Sequence, residues 1–141
     1  MKQNNIYLVG FMGSGKTSIL KKIKQIVNAN TIDLDENIEK KYGSINKIFQ
    51  TKGEKYFRNI ELETFQALPD NDTVIALGGG SLEVSHILDE VKNSELSFYL
   101  KDTFENLWKR ISNSERPLVK KVKEEISELY KLRENLYNQS K

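Results

Sequence analysis

Residues 10–17 read GFMGSGKT and follow directly on the apolar run Ile6–Val9. Glycines at these positions let successive backbone N–H groups converge on an anion, and the helix that begins here adds its positive N-terminal end. Lys16 can place a point charge on the β and γ phosphates of a nucleotide, and the Thr17 hydroxyl can bind Mg²⁺. A plain glycine-rich turn would not require all four fixed positions. The candidate nucleotide-binding residues are therefore Gly13, Ser14, Gly15, Lys16, Thr17 and Ser18.

Two carboxylates follow the second expected strand, Thr31–Asp33. Ligands of open α/β sheets collect at the carboxyl ends of strands, and alternate residues of an extended segment point the same way. Of Asp33 and Asp35, one could hold Mg²⁺ through its waters, and the other could orient or deprotonate a hydroxyl nucleophile. The alternative is that Asp35 only caps the helix that runs to Lys41.

Arg58 and Glu61 lie one helical turn apart, beside the apolar residues Phe57 and Ile60. An exposed ion pair at this spacing would add only about 0.2–0.5 kcal/mol to helix stability. At the border of a buried face, however, a guanidinium can bind a planar anion in bidentate fashion while the carboxylate holds it in place. We therefore treat Arg58 as a candidate anion-binding residue.

The triple glycine Gly78, Gly79 and Gly80 ends the third strand at the same edge of the sheet. Residues without side chains let a ligand approach the backbone N–H groups, although a flexible turn is the alternative. Arg133 falls within the apolar stripe of the final helix. It either faces inward, where it needs a carboxylate or an incoming anion, or extends past the stripe to solvent.

Arg116 lies in residues 112–123, where turn-forming and charged residues separate two helical patterns. This segment is the candidate lid. An arginine that moves onto a transferring phosphoryl group would stabilise charge where it develops; a solvent-facing loop arginine is the alternative. Lys16, Asp35 and Arg116 are the candidate catalytic residues.

The composition restricts the kind of protein that this can be. The chain of 141 residues has 22 basic and 20 acidic residues, mixed along its length, and no cysteine. One domain is expected, without disulfides or thiolate zinc sites and without a charge field that recruits nucleic acid. No apolar run approaches the roughly 20 residues that span a bilayer. We expect a monomer in the cytoplasm, without nucleic-acid or membrane partners.

The fold class follows from three short, almost wholly apolar runs, Ile6–Val9, Val74–Leu77 and Leu96–Leu100. Continuous apolarity indicates strands that are buried on both faces, as in a parallel sheet covered by helices. Helical patterns alternate with these strands, which predicts a doubly wound α/β fold with four or five strands. Residues 34–68 are helical in pattern and predict a small subdomain over the site.

Taken together, these segments resemble shikimate kinase, which phosphorylates the 3-hydroxyl of shikimate with ATP. The matching motifs run in family order over nearly the whole chain. The phosphate loop is shared by many proteins, whereas the combination of the other motifs is specific. These motifs are Asp33 to Asp35 (DLD), residues 53–61 (GEKYFRNIE), Gly78 to Gly80 (GGG), residues 116–118 (RPL) and Arg133 with Leu136 and Tyr137.

The resemblance implies a role for individual residues. It also implies that the reaction uses ATP and Mg²⁺. The matches to Arg58 and Arg133 hold the shikimate carboxylate, and the match to Asp35 binds substrate hydroxyls and is a candidate base. Asp33 corresponds to a residue that helps to organise Mg²⁺. By the same resemblance the substrate-binding set also includes Phe57 and the triple glycine, Arg110 lies beside adenine, and Arg116 acts from the lid.

Two departures from the family are visible. The segment between Arg110 and Arg116 is one residue shorter than expected, and the chain stops at Lys141, where family members usually continue with a fifth strand and a closing helix. The fourth strand would then be an exposed edge. Two alternatives therefore stay open: a different small-molecule P-loop kinase, for gluconate or a nucleoside monophosphate, and a protein that binds ligands with impaired catalysis.

Overall fold

The protein contains a sheet of parallel strands with the order β2-β3-β1-β4. The structure is a computed structural model that describes residues 5–26, 29–111 and 123–139. Because all pairings are parallel, every strand ends at the same edge of the sheet. The predicted parallel α/β sheet is confirmed. The strands are β1 (Ile6–Val9), β2 (Asn30–Asp33), β3 (Thr73–Ala76) and β4 (Leu96–Tyr99).

Helices separate the strands along the chain. None of the helices in the described ranges is both long and apolar enough to cross a membrane. A short 3₁₀ turn, Ser81–Glu83, follows the triple glycine. The described α-helices are α1 (Lys16–Ile26), α2 (Leu34–Tyr42), α3 (Ile45–Lys52), α4 (Glu54–Gln66), α5 (Ser85–Asn93), α6 (Phe104–Ile111) and α7 (Lys123–Tyr137).

Helices α2, α3 and α4 form the helical insertion that the sequence predicts between β2 and β3. The insertion is divided at Gly43 and Gly53, which end α2 and α3. Ser44 caps α3, because its side chain accepts a hydrogen bond from the backbone N–H of Lys47 at 3.5 Å. These short helices carry Asp35 and Arg58 over the edge of the sheet.

The core lies on both faces of the sheet, since successive strand residues point to opposite sides. Tyr7 and Val9 face the larger cluster, which also contains Ile75 and the apolar residues of α2, α4 and α7. Leu8 packs on the other face in a smaller cluster with Leu20 of α1. The continuous apolarity of β1 and β3 therefore corresponds to burial on both sides, whereas the same prediction is wrong for one face of β4.

The sequence after the phosphate loop predicts one apolar stripe over two helical turns, and the structure buries only part of it. The members of this stripe are Ile19, Leu20, Ile23, Ile26 and Val27. Of its members Leu20 is buried, but Ile26 is 81% exposed, and Val27 lies outside the described residues. Helix α1 packs on β2 and β3, so it leaves the same face of β4 bare. Leu96 and Phe98 are each 50% exposed there, and β4 forms one edge of the described sheet, as expected for the fourth strand.

Replacing Ile75 by alanine should lower the free energy of unfolding by about 2–5 kcal/mol, because its side chain is fully buried in the central part of the sheet. Ile26→Ala is the matched control: the same change at an exposed position should stay within about 0.5 kcal/mol of the parent. Urea unfolding measures both variants. Equal losses for the two would contradict the description of the core.

Candidate active site

A cleft of about 940 Å³ opens at the carboxyl edge of the sheet. It brings together residues from the phosphate loop, the helical insertion, the triple glycine, α6 and α7. Arg116 lies outside the described residues, together with all of the predicted lid except Lys123, which begins α7. The predicted site residues that line the cleft are Gly13, Ser14, Gly15, Lys16, Thr17, Ser18, Asp33, Asp35, Phe57, Arg58, Gly78, Gly79, Gly80, Arg110 and Arg133.

The phosphate loop joins β1 to α1 and turns through two glycines in the left-handed region, Gly13 at φ 81° and Gly15 at φ 97°. A side chain at either position would be strained, which explains the glycines physically. The Lys16 ammonium folds back over the loop and donates to the carbonyl oxygens of Gly10 (2.5 Å) and Phe11 (3.1 Å). The Lys16 ammonium is thus held against carbonyl oxygens of its own loop.

Thr17 and Asp33 meet beside the loop. The Thr17 hydroxyl donates to Asp33 Oδ2 at 2.8 Å, while Asp33 Oδ1 accepts from the backbone N–H of Glu36 at 3.2 Å. Asp33, and not Asp35, is therefore the N-cap of α2. A hydroxyl and a carboxylate side by side match the oxygen ligands that Mg²⁺ prefers, and Mg²⁺ completes its coordination with waters and nucleotide phosphates.

Asp35 lies in the first turn of α2, so the prediction that it shares an extended segment with Asp33 is wrong. It nevertheless lines the same cleft and packs against the triple glycine, since a methyl group on Gly78 would lie 2.7 Å from Asp35 Oδ1. Burial raises the pKa of Asp35 to about 6, and Glu61 and Asp33 add to the increase against the opposing charges of Lys16 and Arg58. The Asp35 carboxyl thus exchanges its proton close to neutral pH and can act as a base there.

The two predicted arginines converge. Arg58 comes from α4 and Arg133 from α7, with side chains only 17% and 3% exposed. A methyl group on Gly80 would overlap Arg58 Nη2 and would lie 2.6 Å from Arg133 Nη2. The third glycine therefore leaves the room that both guanidinium groups need. Arg133 faces inward, so the alternative in which it reaches solvent is wrong.

Carboxylates surround the Arg58 guanidinium. Its Nη1 donates to Glu61 Oε1 at 2.9 Å, and the buried Glu61 is itself fixed by the Ser81 hydroxyl, which donates to Oε2 at 2.6 Å. Burial by itself would lower the pKa of Arg58, but Glu61, Glu83 and Glu54 outweigh it, so the pKa is raised. Glu61 holds the guanidinium in place, as its spacing predicts.

Sequence reasoning missed the roles of three residues next to the arginine pair. These are Ser81, Glu83 and Tyr137, of which Tyr137 anchors the backbone. Glu83 Oε2 accepts from Arg58 Nη2 at 3.3 Å and from Arg133 Nη2 at 3.2 Å. Tyr137 donates to the carbonyl oxygen of Gly79 and so ties α7 to the glycine turn. Only the position of Glu83, three residues after the triple glycine, could have singled it out.

Both arginines keep buried donors available for an anion. Their Nε atoms have no hydrogen-bond partner within the described ranges. Phe57 packs under this pair, with its ring 5.2 Å from Arg58 Cζ, while Phe11 lies 6.0 Å from Arg133 Cζ. Two cations on aromatic faces, with unused N–H groups, form a receptor for a planar carboxylate.

Arg110 lies at the other end of the cleft. Its Nη1 donates to the carbonyl oxygen of Gly13 at 2.8 Å, and its Nη2 pairs with Asp102 at 3.0 Å. The side chain is about half exposed. The structure thus places Arg110 against the phosphate loop; its contact with adenine stays a prediction.

Cationic side chains from different elements line the cleft together with the carboxyl group of Asp35. Lys16 comes with the phosphate loop and Arg58 with the helical insertion beside Arg133, and the charges of Lys16 and Arg58 both oppose the rise in the pKa of Asp35. This fold and this arrangement define a P-loop kinase of a small acidic molecule.

Comparison with known proteins gives the family. The family model described as shikimate kinase matches residues 12–141. The chain is 44% identical to a shikimate kinase of Dictyoglomus turgidum over 96% of this chain and 83% of that protein. The chain belongs to the shikimate kinase family, and the resemblance drawn from its motifs is confirmed.

Solved structures agree with this assignment. The shikimate kinase of Acinetobacter baumannii in complex with shikimate superposes with a TM-score of 0.85 at 30% identity, covering 97% of this chain and 79% of that one. Deoxyadenosine kinase from M. mycoides with bound dATP gives a TM-score of 0.64 at 18% identity, over 97% of this chain and 85% of that one. The second similarity concerns the fold alone.

Replacing Asp35 by asparagine should stabilise the protein in a pH-dependent manner. The raised pKa means that the ionised carboxylate is disfavoured in the folded state, so its cost is absent below about pH 4 and complete above about pH 6. D35N should therefore match the parent at low pH and exceed it by about 3 kcal/mol at pH 7.5. Thermal unfolding between pH 4 and pH 8 measures this difference. A constant difference across that range would contradict the electrostatic explanation.

Proposed function

We propose that this chain transfers the γ-phosphoryl group of ATP to the 3-hydroxyl of shikimate. The observation that carries the proposal is the convergence of Arg58 and Arg133 at Gly80, in the same cleft as the phosphate loop. Two guanidinium groups directed at one point suit a carboxylate, and a ring that carries this carboxylate would present its hydroxyls toward Asp35.

The acceptor side of the cleft is proposed to work by positioning. Arg58 and Arg133 bind the carboxylate, Phe57 and the glycines Gly78, Gly79 and Gly80 border the ring, and Asp35 accepts a hydrogen bond from the hydroxyl that attacks. Holding the two reactants in line removes most of the entropic part of the barrier. Because the pKa of Asp35 is about 6, this carboxyl is ionised at pH 7 and can orient or accept the hydroxyl proton.

The donor side is proposed to neutralise charge. The backbone of residues 13–18 surrounds the β and γ phosphates, and the Lys16 ammonium leaves its carbonyl partners to follow the charge that moves to the leaving oxygen. Arg110 holds the loop and borders the nucleotide. Arg116 is proposed as a second cation at the transferring group, from residues outside the described ranges.

Thr17 and Asp33 are proposed to hold Mg²⁺. The ion would supply charge neutralisation between the β and γ phosphates, as is usual in phosphoryl transfer. Asp33 can serve in this role while it caps α2, because its two carboxylate oxygens face different partners.

The remaining parts of the proposal concern organisation. We infer a single domain in which the helices of residues 34–68 form the substrate-binding subdomain and residues 112–123 the lid. A monomer is proposed as the active form. The reaction is proposed to take place in the cytoplasm.

A coupled assay of ADP release tests the function, and release should depend strictly on shikimate. Arg58→Ala should raise the Michaelis constant for shikimate by roughly 10- to 100-fold, the loss expected for a charged hydrogen bond, with little change for ATP. Arg110→Ala is the matched control, since it removes a guanidinium from the nucleotide end and should act mainly on ATP.

Two results would favour the alternatives. Turnover of gluconate or a nucleoside monophosphate, with none of shikimate, would assign the chain to a different kinase reaction. A rise in Tm on addition of shikimate, with no ADP formed even at high protein concentration, would identify a binding protein with impaired catalysis.

Asp33→Asn should raise the Mg²⁺ concentration needed for half-maximal activity by roughly tenfold, because one anionic oxygen is lost from the site. Asparagine caps helices as well as aspartate does, so the Tm should change little. A titration of activity with MgCl₂ at fixed ATP measures the effect. An unchanged Mg²⁺ requirement would remove Asp33 from the metal site.

A further inference from the structure

Glu83 links the two arginines through a single atom. Its Oε2 accepts from Arg58 Nη2 at 3.3 Å and from Arg133 Nη2 at 3.2 Å. The two guanidinium groups come from α4 and α7, and Glu83 reaches both from the 3₁₀ turn behind the triple glycine. Its two bonds use the same Nη2 atoms that lie closest to Gly80, on the side where a ligand passes the glycine turn.

The protein itself already places more negative than positive charge around this pair. Within 4 Å, Arg58 pairs with Glu54, Glu61 and Glu83, while Arg133 pairs with Glu83. These contacts place three carboxylates against two guanidinium groups. Adding the carboxylate of an acceptor would place a fourth one there, and like charges at such short range repel strongly. One resident carboxylate must therefore move when an acidic ligand binds.

The carboxylate that can move is Glu83. The Glu61 side chain is 1% exposed and is fixed between Arg58 and Ser81. Glu54 is 59% exposed but contacts Arg58 alone, so its departure would free no donor of Arg133. Glu83 is 27% exposed, so it has a path to solvent, and within the described ranges it alone contacts both guanidinium groups.

We propose that Glu83 is an internal counter-carboxylate that is exchanged for the carboxylate of the substrate. In this exchange Glu83 gives up Arg58 Nη2 and Arg133 Nη2 to the incoming oxygens and turns toward solvent. The arginine pair is never left buried without an anion, which would be strongly unfavourable. The inference rests on the proposed function, since it takes an acidic acceptor as the ligand.

The exchange would tune specificity as well as affinity. A ring that lacks a carboxylate cannot replace Glu83 at the arginines, so it gains no binding free energy from them. Glu83 therefore disfavours the binding of such a ring. For an acidic acceptor, the gain in binding free energy is only the difference between two interactions with the arginines, that of its own carboxylate and that of the Glu83 carboxylate. Affinity for the correct substrate is thus lower than the two arginines alone would provide.

The variant Glu83→Gln tests the exchange, because it keeps the shape of the side chain and removes its charge. Calorimetric titration with shikimate, without nucleotide, should show a Kd roughly tenfold lower than that of the parent protein. Without shikimate the Tm of E83Q should fall, and saturating shikimate should raise it by more than it raises that of the parent. Glu83→Asp, whose shorter side chain cannot bridge both arginines, should give an intermediate fall in Kd.

Asp89→Asn is the control, since it removes one negative charge from an exposed position on α5 and should leave the Kd unchanged. Shikimate binding by E83Q that is equal to or weaker than that of the parent would overturn the proposal. Weaker binding would indicate that Glu83 positions the arginines. Failure of the parent protein to bind shikimate at all would contradict the proposed function, and the exchange with it.

Discussion

Compensation of two buried guanidinium groups is the interaction on which the acceptor half of the cleft depends. Arg133 is almost fully buried and Arg58 nearly so, and buried cations are tolerated only with anions and hydrogen bonds around them. Glu61, Glu83 and Ser81 provide these contacts. The triple glycine and the packing of α7 follow from the same requirement, since a side chain at Gly80 would collide with both arginines.

The nucleotide side of the cleft has the opposite requirement, because it is proposed to bind several negative charges. It does so with backbone amides and the Lys16 ammonium, which donates to carbonyl oxygens of the loop. Asp35 lies where the two halves meet, and its raised pKa reflects burial near other carboxylates, moderated by a cation from each side. The chemistry at the junction thus depends on the charges of both ends.

The features that could be predicted from the sequence are those that a local backbone requirement dictates. The phosphate loop, the triple glycine, the breaks at Gly43 and Gly53 and the buried strands all belong to this kind. The orientation of Arg133 stayed open because it depends on how α7 packs. Glu83 was missed because its partners are 25 and 50 residues away, and nothing local distinguishes it from a surface glutamate.

Tertiary placement also explains the errors. The apolar pattern of α1 correctly predicts a helix, but how much of that pattern is buried depends on which strands α1 covers, and β4 is not among them. Asp35 was placed on an extended segment because the sequence does not show that β2 ends at Asp33 and α2 begins at once.

Helix α7 is both a part of the core and the source of half of the acid-recognition site. Ile126 and Tyr137 are fully buried, and the Tyr137 hydroxyl reaches Gly79. The packing that buries these two side chains is therefore also what brings Arg133 to Arg58 at Gly80. Loosening of α7 from the sheet would take one guanidinium out of the cleft, so the stability of this helix and the composition of the cleft are coupled.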